Sequence, residues 1–154
     1  MSDISKSDTP DRAAILDLIS AYAFGLDRRD FARVASTFTE EAVVENLFDE
    51  YLPEGKLFNS LTIGGTAVAD GARDLFGTLD ATQHQLGAQI VEMTGTGARA
   101  STQVVARHHR GVQFFKTGAT YEDEFVRTPD GWRIAKRTQH IHWTAGSPDV
   151  FIAQ

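Results

Sequence analysis

The stretch Ala81-Thr82-Gln83-His84-Gln85-Leu86-Gly87-Ala88-Gln89-Ile90 is where the chain changes its period. Its apolar residues alternate with polar ones, so His84, Leu86, Ala88 and Ile90 share one face of a strand. Downstream the same period continues. Thr94-Gly95-Thr96-Gly97 has hairpin-turn chemistry, residues 100–115 read as one long strand, and Gly118 marks the next turn before a strand over 120–127. Pro129-Asp130-Gly131 is a tight turn into a last strand over 132–143. In that strand Trp132 and Ile134 are out of phase with Ile141 and Trp143, which requires either a bulge or two covered faces.

Upstream the period is helical. Thr9-Pro10-Asp11 combines a capping hydroxyl, a proline at the first helical position and an acid in the first turn. Ile15, Leu18, Ile19, Tyr22 and Leu26 follow on one buried face. The run Gly25-Leu26-Asp27-Arg28-Arg29-Asp30 ends this helix, and Asp30 caps a shorter one with Phe31, Val34, Ala35 and Phe38 inward. Thr39-Glu40-Glu41 breaks it, and a first strand is expected over 42–48. Residues 49–60 form an irregular loop that carries Tyr51, Leu52, Leu57 and Phe58, an apolar content that suits a lid. Gly64-Gly65 turns the chain into a third helix over 68–79. Helices followed by a meander of antiparallel strands is the α+β pattern. A strongly curved sheet wrapped around those helices makes a cone, and a cone with an apolar interior is a ligand cavity.

Composition narrows the function. The chain has 154 residues, 42% of them hydrophobic, enough for one domain with a core: a tail over 1–9 and a single domain over 10–154. It has no cysteine, which excludes disulfides, thiolate nucleophiles and Cys-ligated metals. The net charge of −6 disfavours nucleic acid as a partner. The basic clusters at 107–110 and 133–137 are interleaved with strand residues and read as solvated sheet faces. No apolar run is long enough for a membrane span, and the polar N-terminus lacks the features of a signal peptide, so a cytoplasmic location is expected.

The chemistry-bearing residues are few. Asp27 closes the first helix, where a carboxylate opposes the helix dipole and calls for a compensating donor. His84 begins a strand on its apolar face. Brought together, the two make a general base: the carboxylate fixes the imidazole tautomer and the free nitrogen takes a proton. His108 has the parity of Val104 and Ala106 and faces inward as a third catalytic candidate; its neighbour His109 faces out. His140 and His142 share a face at a spacing that can chelate, but no third ligand is evident and no metal is expected. Tyr22, Tyr51, Phe48, Phe58 and Trp143 are candidates to line a pocket around a small apolar molecule. No Gly-x-Ser-x-Gly elbow suggests a serine hydrolase.

Several pieces carry a resemblance: residues 14–23, Leu26-Asp27-Arg28-Arg29-Asp30-Phe31, Phe38-Thr39-Glu40-Glu41-Ala42-Val43-Val44, Thr82-Gln83-His84-Gln85-Leu86-Gly87, Tyr121-Glu122-Asp123 and residues 126–135. Together they resemble the SnoaL-like branch of the nuclear transport factor 2-like superfamily over nearly all of the chain after residue 10. The resemblance implies a cystatin-like α+β barrel. Scytalone dehydratases and hexachlorocyclohexane dehydrochlorinases of this branch use an aspartate–histidine pair whose positions Asp27 and His84 match. A second dehydratase histidine is matched by His108. The helix tyrosine beside the dehydratase aspartate is absent, since Leu26 stands there, and Tyr22 lies just over one turn earlier. The implied function is a cofactor-independent lyase or isomerase, with dehydratase-like elimination first and polyketide-cyclase-like aldol closure as the alternative. A non-catalytic binding or assembly module is a third reading. A homo-oligomer, dimer or trimer, is expected to cover the outer sheet face.

Overall fold

The computed structural model describes residues 9–152. The expected tail over 1–9 lies outside these except for Thr9, which opens the first helix. Helix α1 spans Thr9–Asp27 and buries Ile15, Ile19, Tyr22 and Leu26, the face its spacing predicts. Helix α2, Phe31–Ser36, is capped by Asp30, whose side chain accepts from the Arg33 backbone N–H. Strand β1 runs over Phe38–Phe48, so Thr39-Glu40-Glu41 is already strand rather than a break. A single turn, α3, Gly55–Phe58, interrupts the loop expected over 49–60, and a short strand β2, Ser60–Ile63, follows it. Helix α4 covers Gly65–Phe76, beginning three residues earlier than the apolar pattern suggests.

Four long strands follow: β3 Ala81–Thr94, β4 Gly97–Arg110, β5 Gln113–Thr128 and β6 Gly131–Gly146. A 3-10 turn over Pro148–Phe151 closes the described chain. The six-stranded sheet has the order β2-β1-β6-β5-β4-β3, antiparallel throughout except for the parallel β1–β6 pair. The expected α+β architecture is borne out. Its core joins the buried face of α1 to inward residues of every long strand, including Val104, Tyr121, Phe125, Ile134 and Ile141. No helix among the described residues is long and apolar enough to cross a membrane.

The differences from the pattern lie where the period slips. The expected single strand over 100–115 is two strands joined at Gly111-Val112, with Gly111 at a φ of 59°, a left-handed conformation that glycine adopts freely. Gly118 is no turn. It lies inside β5, and a Cβ there would sit 1.9 Å from the indole nitrogen of Trp143, which covers it from the neighbouring strand. A register shift between Leu86 and Gln89 reverses the phase of β3, so Ile90 points outward and is 74% exposed. On β6 two shifts, opposite Gly118/Ala119 and Glu124/Phe125, reconcile the conflicting phases. Ile134 and Ile141 are both buried, whereas Trp143 emerges on the outer face. Bulges of this kind bend a sheet, and here they curve it around α1.

Candidate active site

Asp27 is the last residue of α1, and its carboxylate receives three donors from β3. The Nδ1–H of His84 lies 2.7 Å from Oδ1, the His84 backbone N–H donates to Oδ2 at 2.8 Å, and the Thr82 hydroxyl donates to Oδ1 at 3.1 Å. The two side chains are nearly closed off, His84 6% and Asp27 19% exposed. Burial pushes the Asp27 carboxyl up, but the His84 and Thr82 hydrogen bonds outweigh it and hold the group below its ordinary value. A carboxylate only accepts, so the proton stays on Nδ1 of His84. In the neutral ring the lone pair is then on Nε2, which has no hydrogen bond from a described residue.

A second layer fixes the first. Arg29 Nη1 donates to Thr82 Oγ1 at 2.8 Å and to the Leu26 carbonyl at 2.9 Å. Its guanidinium lies 5.2 Å from the centre of the Phe76 ring. Arg29 has a φ of 58°, a left-handed conformation that a residue with a side chain adopts only under constraint. That backbone turn is what lets α1 stop at Asp27 while Arg29 reaches back under Thr82.

His108, on β4, faces His84 edge to face with the ring centres 5.8 Å apart. Its Nδ1–H donates to the Phe115 carbonyl at 3.0 Å. Phe76, Phe115 and Phe151 surround the ring. Burial pushes its pKa down to about 4, and the neighbouring His84 adds to the effect. Near neutral pH His108 is therefore uncharged and offers the cavity an acceptor at Nε2. In that form it has no proton at Nε2 to give to a leaving group.

Both histidines line a cavity of about 390 Å³, at the small end of the ~300–1,000 Å³ typical of small-molecule sites. Tyr22, Phe48 and Phe58 line it as expected, and the apolar loop after β1 supplies Leu57 and Phe58 to its wall. Tyr51 and Trp143 do not. Tyr51 is 73% exposed and its hydroxyl donates to the His142 carbonyl, while the bulge at His142 turns Trp143 to the outer face. Sequence reasoning missed the polar lining residues Asn46, Thr62, Thr117 and Gln139, and the apolar Phe76 and Phe151. Asn46 was within reach, since it shares the parity of Val44 and Phe48. Phe151 carried no signal, because it returns from the far end of the chain.

A family model described as SnoaL-like domain matches residues 7–138. The chain belongs to this SnoaL-like family. An uncharacterized protein of Mycobacterium tuberculosis is 29% identical over 147 residues, 90% of each chain. Among solved structures, the Kfla4162 protein of Kribbella flavida aligns with a TM-score of 0.79 at 22% identity, over 94% of this chain and 99% of that one. A candidate scytalone dehydratase from Novosphingobium aromaticivorans aligns with a TM-score of 0.76 at 18% identity, over 94% and 92% of the two chains. The hexachlorocyclohexane dehydrochlorinase LinA-type3 from Novosphingobium barchaimii gives 0.74 at 18%, over 95% and 96%. At these identities the structural likeness speaks to the fold.

Two features of this SnoaL-like chain correct the reading of its polar residues. Arg137, placed by its sequence in a solvated cluster, is 1% exposed. Its Nε and Nη2 donate to the two oxygens of Asp123 at 2.6 and 2.8 Å across the β5–β6 pair. The guanidinium stacks between Tyr22 and Tyr121, 4.3 and 4.0 Å from their ring centres. Burial disfavours its charge, but Asp123 outweighs burial and holds Arg137 protonated. Tyr22 therefore bridges the cavity and a buried ion pair, and burial raises its own pKa. The second correction concerns His140 and His142. A third potential ligand, Asp49, stands beside them after all.

Proposed function

We propose that this protein is a cofactor-independent lyase or isomerase in which His84, oriented by Asp27, removes a proton from carbon. The observation that carries this reading is the 2.7 Å contact between Asp27 and a His84 that lines the cavity. His84 Nε2 accepts the proton, and the pair of the broken C–H bond becomes the new double bond. The leaving group departs with its bonding electrons. Asp27 stabilises the imidazolium that forms. A halide can leave unaided, whereas hydroxide needs a proton. Tyr22, kept in its phenol form by burial, is the donor proposed for that step. Neutral His108 would accept a hydrogen bond from a substrate hydroxyl. The small, largely apolar cavity suits a compact substrate and favours elimination over closure of a long polyketide chain. The dehydratase and dehydrochlorinase among its structural relatives support the same reaction class.

The same proposal includes self-association. Leu47, Ile90, Phe114 and Trp143 lie on the outer sheet face, each between 37% and 74% exposed, and a second copy would cover them.

A nitrobenzisoxazole tests the base without a known substrate, because removal of its carbon-bound proton opens it to a coloured phenolate. Wild-type protein is expected to accelerate the opening by about 10²–10⁴-fold over His84→Ala at equal folded concentration. Equal rates in the two would overturn the base and leave a binding module as the better reading.

A further inference from the structure

We propose that Asp49, His140 and His142 form a binding site for a divalent transition-metal ion, with zinc the best match, on the outer face of the sheet. One ligand atom from each lies within 4.8 Å of the others. His140 Nε2 is 2.6 Å from Asp49 Oδ1, and His142 Nδ1 is 3.8 Å from Asp49 Oδ2. Two imidazoles and one carboxylate are the donor set of borderline divalent ions, and three protein ligands leave a position for water. Bonds of about 2.0–2.2 Å to the ion require the His140–Asp49 contact to open slightly and the His142–Asp49 contact to close. Side-chain rotations at these partly exposed residues would supply both.

The scaffold holds the ligands in place. His140 and His142 leave β6 on its outer side, while Gln139 and Ile141 line the cavity. Asp49 directly follows β1, and its backbone N–H donates to the carbonyl of Ile141, the residue between the two histidines. The bulge on β6 takes His142 out of the strand pairing with β5. The Thr120 hydroxyl lies 3.0 Å from His142 Nε2. By accepting from Nε2–H it selects the tautomer whose Nδ1 lone pair faces Asp49, as outer partners of metal-bound histidines do. The Tyr51 hydroxyl donates to the His142 carbonyl and steadies the strand. The His140, His142 and Asp49 side chains are 47%, 44% and 26% exposed, so an ion can enter and keep water.

The sheet separates this site from the His84 base. Its ion would tie the end of β1 to β6 at the start of the segment that carries Leu57 and Phe58 to the cavity. The role is therefore in fixing the cavity wall, and chelation should leave proton abstraction in place.

Titration of the metal-free full chain with zinc ion, followed by calorimetry, is expected to show one saturable site per chain. Asp49→Asn and His140→Ala should each weaken it at least about tenfold, as should Thr120→Val, which acts through His142. His109→Ala, an exposed histidine elsewhere, should not change it. Should a variant fail to fold, cobalt ion added to the unaltered chain gives an independent readout. Its paramagnetism should broaden the ring proton signals of His140 and His142 and spare those of His84 and His108. No saturable binding, unchanged affinity in folded Asp49→Asn and His140→Ala, or broadening centred on His84 and His108 would each overturn the proposal.

Discussion

His84 and His108 lie 5.8 Å apart in one cavity, yet the acceptor at each Nδ1 gives the two imidazoles different chemistry. A carboxylate faces Nδ1 of His84 and can stabilise a cation, whereas His108 Nδ1 faces a neutral carbonyl inside an aromatic cage. The sign of the His108 shift sets a pH dependence. Its pKa is pushed down from 6.5 to about 4, so the unfolded chain binds the proton first as pH falls. Stability is therefore unaffected above pH 6.5 and lost progressively as pH drops toward about 4, by about 3 kcal/mol in all. His108→Gln can still donate to the Phe115 carbonyl but does not titrate. Urea denaturation across this range is expected to show a shallower acid slope for the variant. Asp27 acts in the same direction lower down, since its carboxyl is held below 3.8 and its contribution disappears as pH falls past that value. The contact between Asp27 and His84 was legible from sequence: a helix-ending carboxylate needs a donor, His84 shares a face with apolar neighbours, and the family resemblance matches both positions to one pair. Thr82 and Arg29 were not legible. Their hydrogen bonds depend on a left-handed backbone turn at Arg29 that no local pattern announces.

The strands β5 and β6 meet over an ion pair buried on both sides, Arg137 and Asp123 being 1% and 2% exposed. Nη1 of Arg137 has no hydrogen-bond partner among the described residues, so the guanidinium depends on Asp123 and on the faces of Tyr22 and Tyr121. Asp123→Ala would leave the cation buried without its counter-charge and is expected to cost about 3–5 kcal/mol, read as a lower urea midpoint. A variant of wild-type stability would show that the pair contributes little. The sequence hid this pair inside a run of basic residues. Arg133, Lys136 and Arg137 read alike by composition, and only the bulge at Ala135 decides which of them turns inward. Helix limits were more accessible, since capping by Asp30 and the apolar face of α1 are local properties. Strand limits were less so, because Gly118 and Gly111 look the same in sequence while one sits under Trp143 and the other turns a hairpin.

At the scale of the molecule the sheet divides two surfaces. The concave side holds the Asp27–His84 pair and its cavity. The outer side carries the Asp49–His140–His142 cluster and the apolar residues Ile90, Phe114 and Trp143. Sedimentation equilibrium is expected to give a dimer or trimer, with Trp143→Glu shifting the population toward monomer. A purely monomeric wild type would show that this face is left to solvent.

The sequence by itself determined the α+β order of elements, the buried face of α1, and the places of Asp27 at a helix end and of His84 on an apolar strand face. Those follow from periodicity, capping and side-chain chemistry, all of which act within a few residues. Only the tertiary structure decided that Tyr51 and Trp143 lie outside the cavity, that Arg137 is buried, and that Asp49 joins two histidines about ninety residues away. Each of these depends on strand register. A single bulge reverses every side chain beyond it, and the partner strand, rather than the local sequence, fixes where the bulge falls.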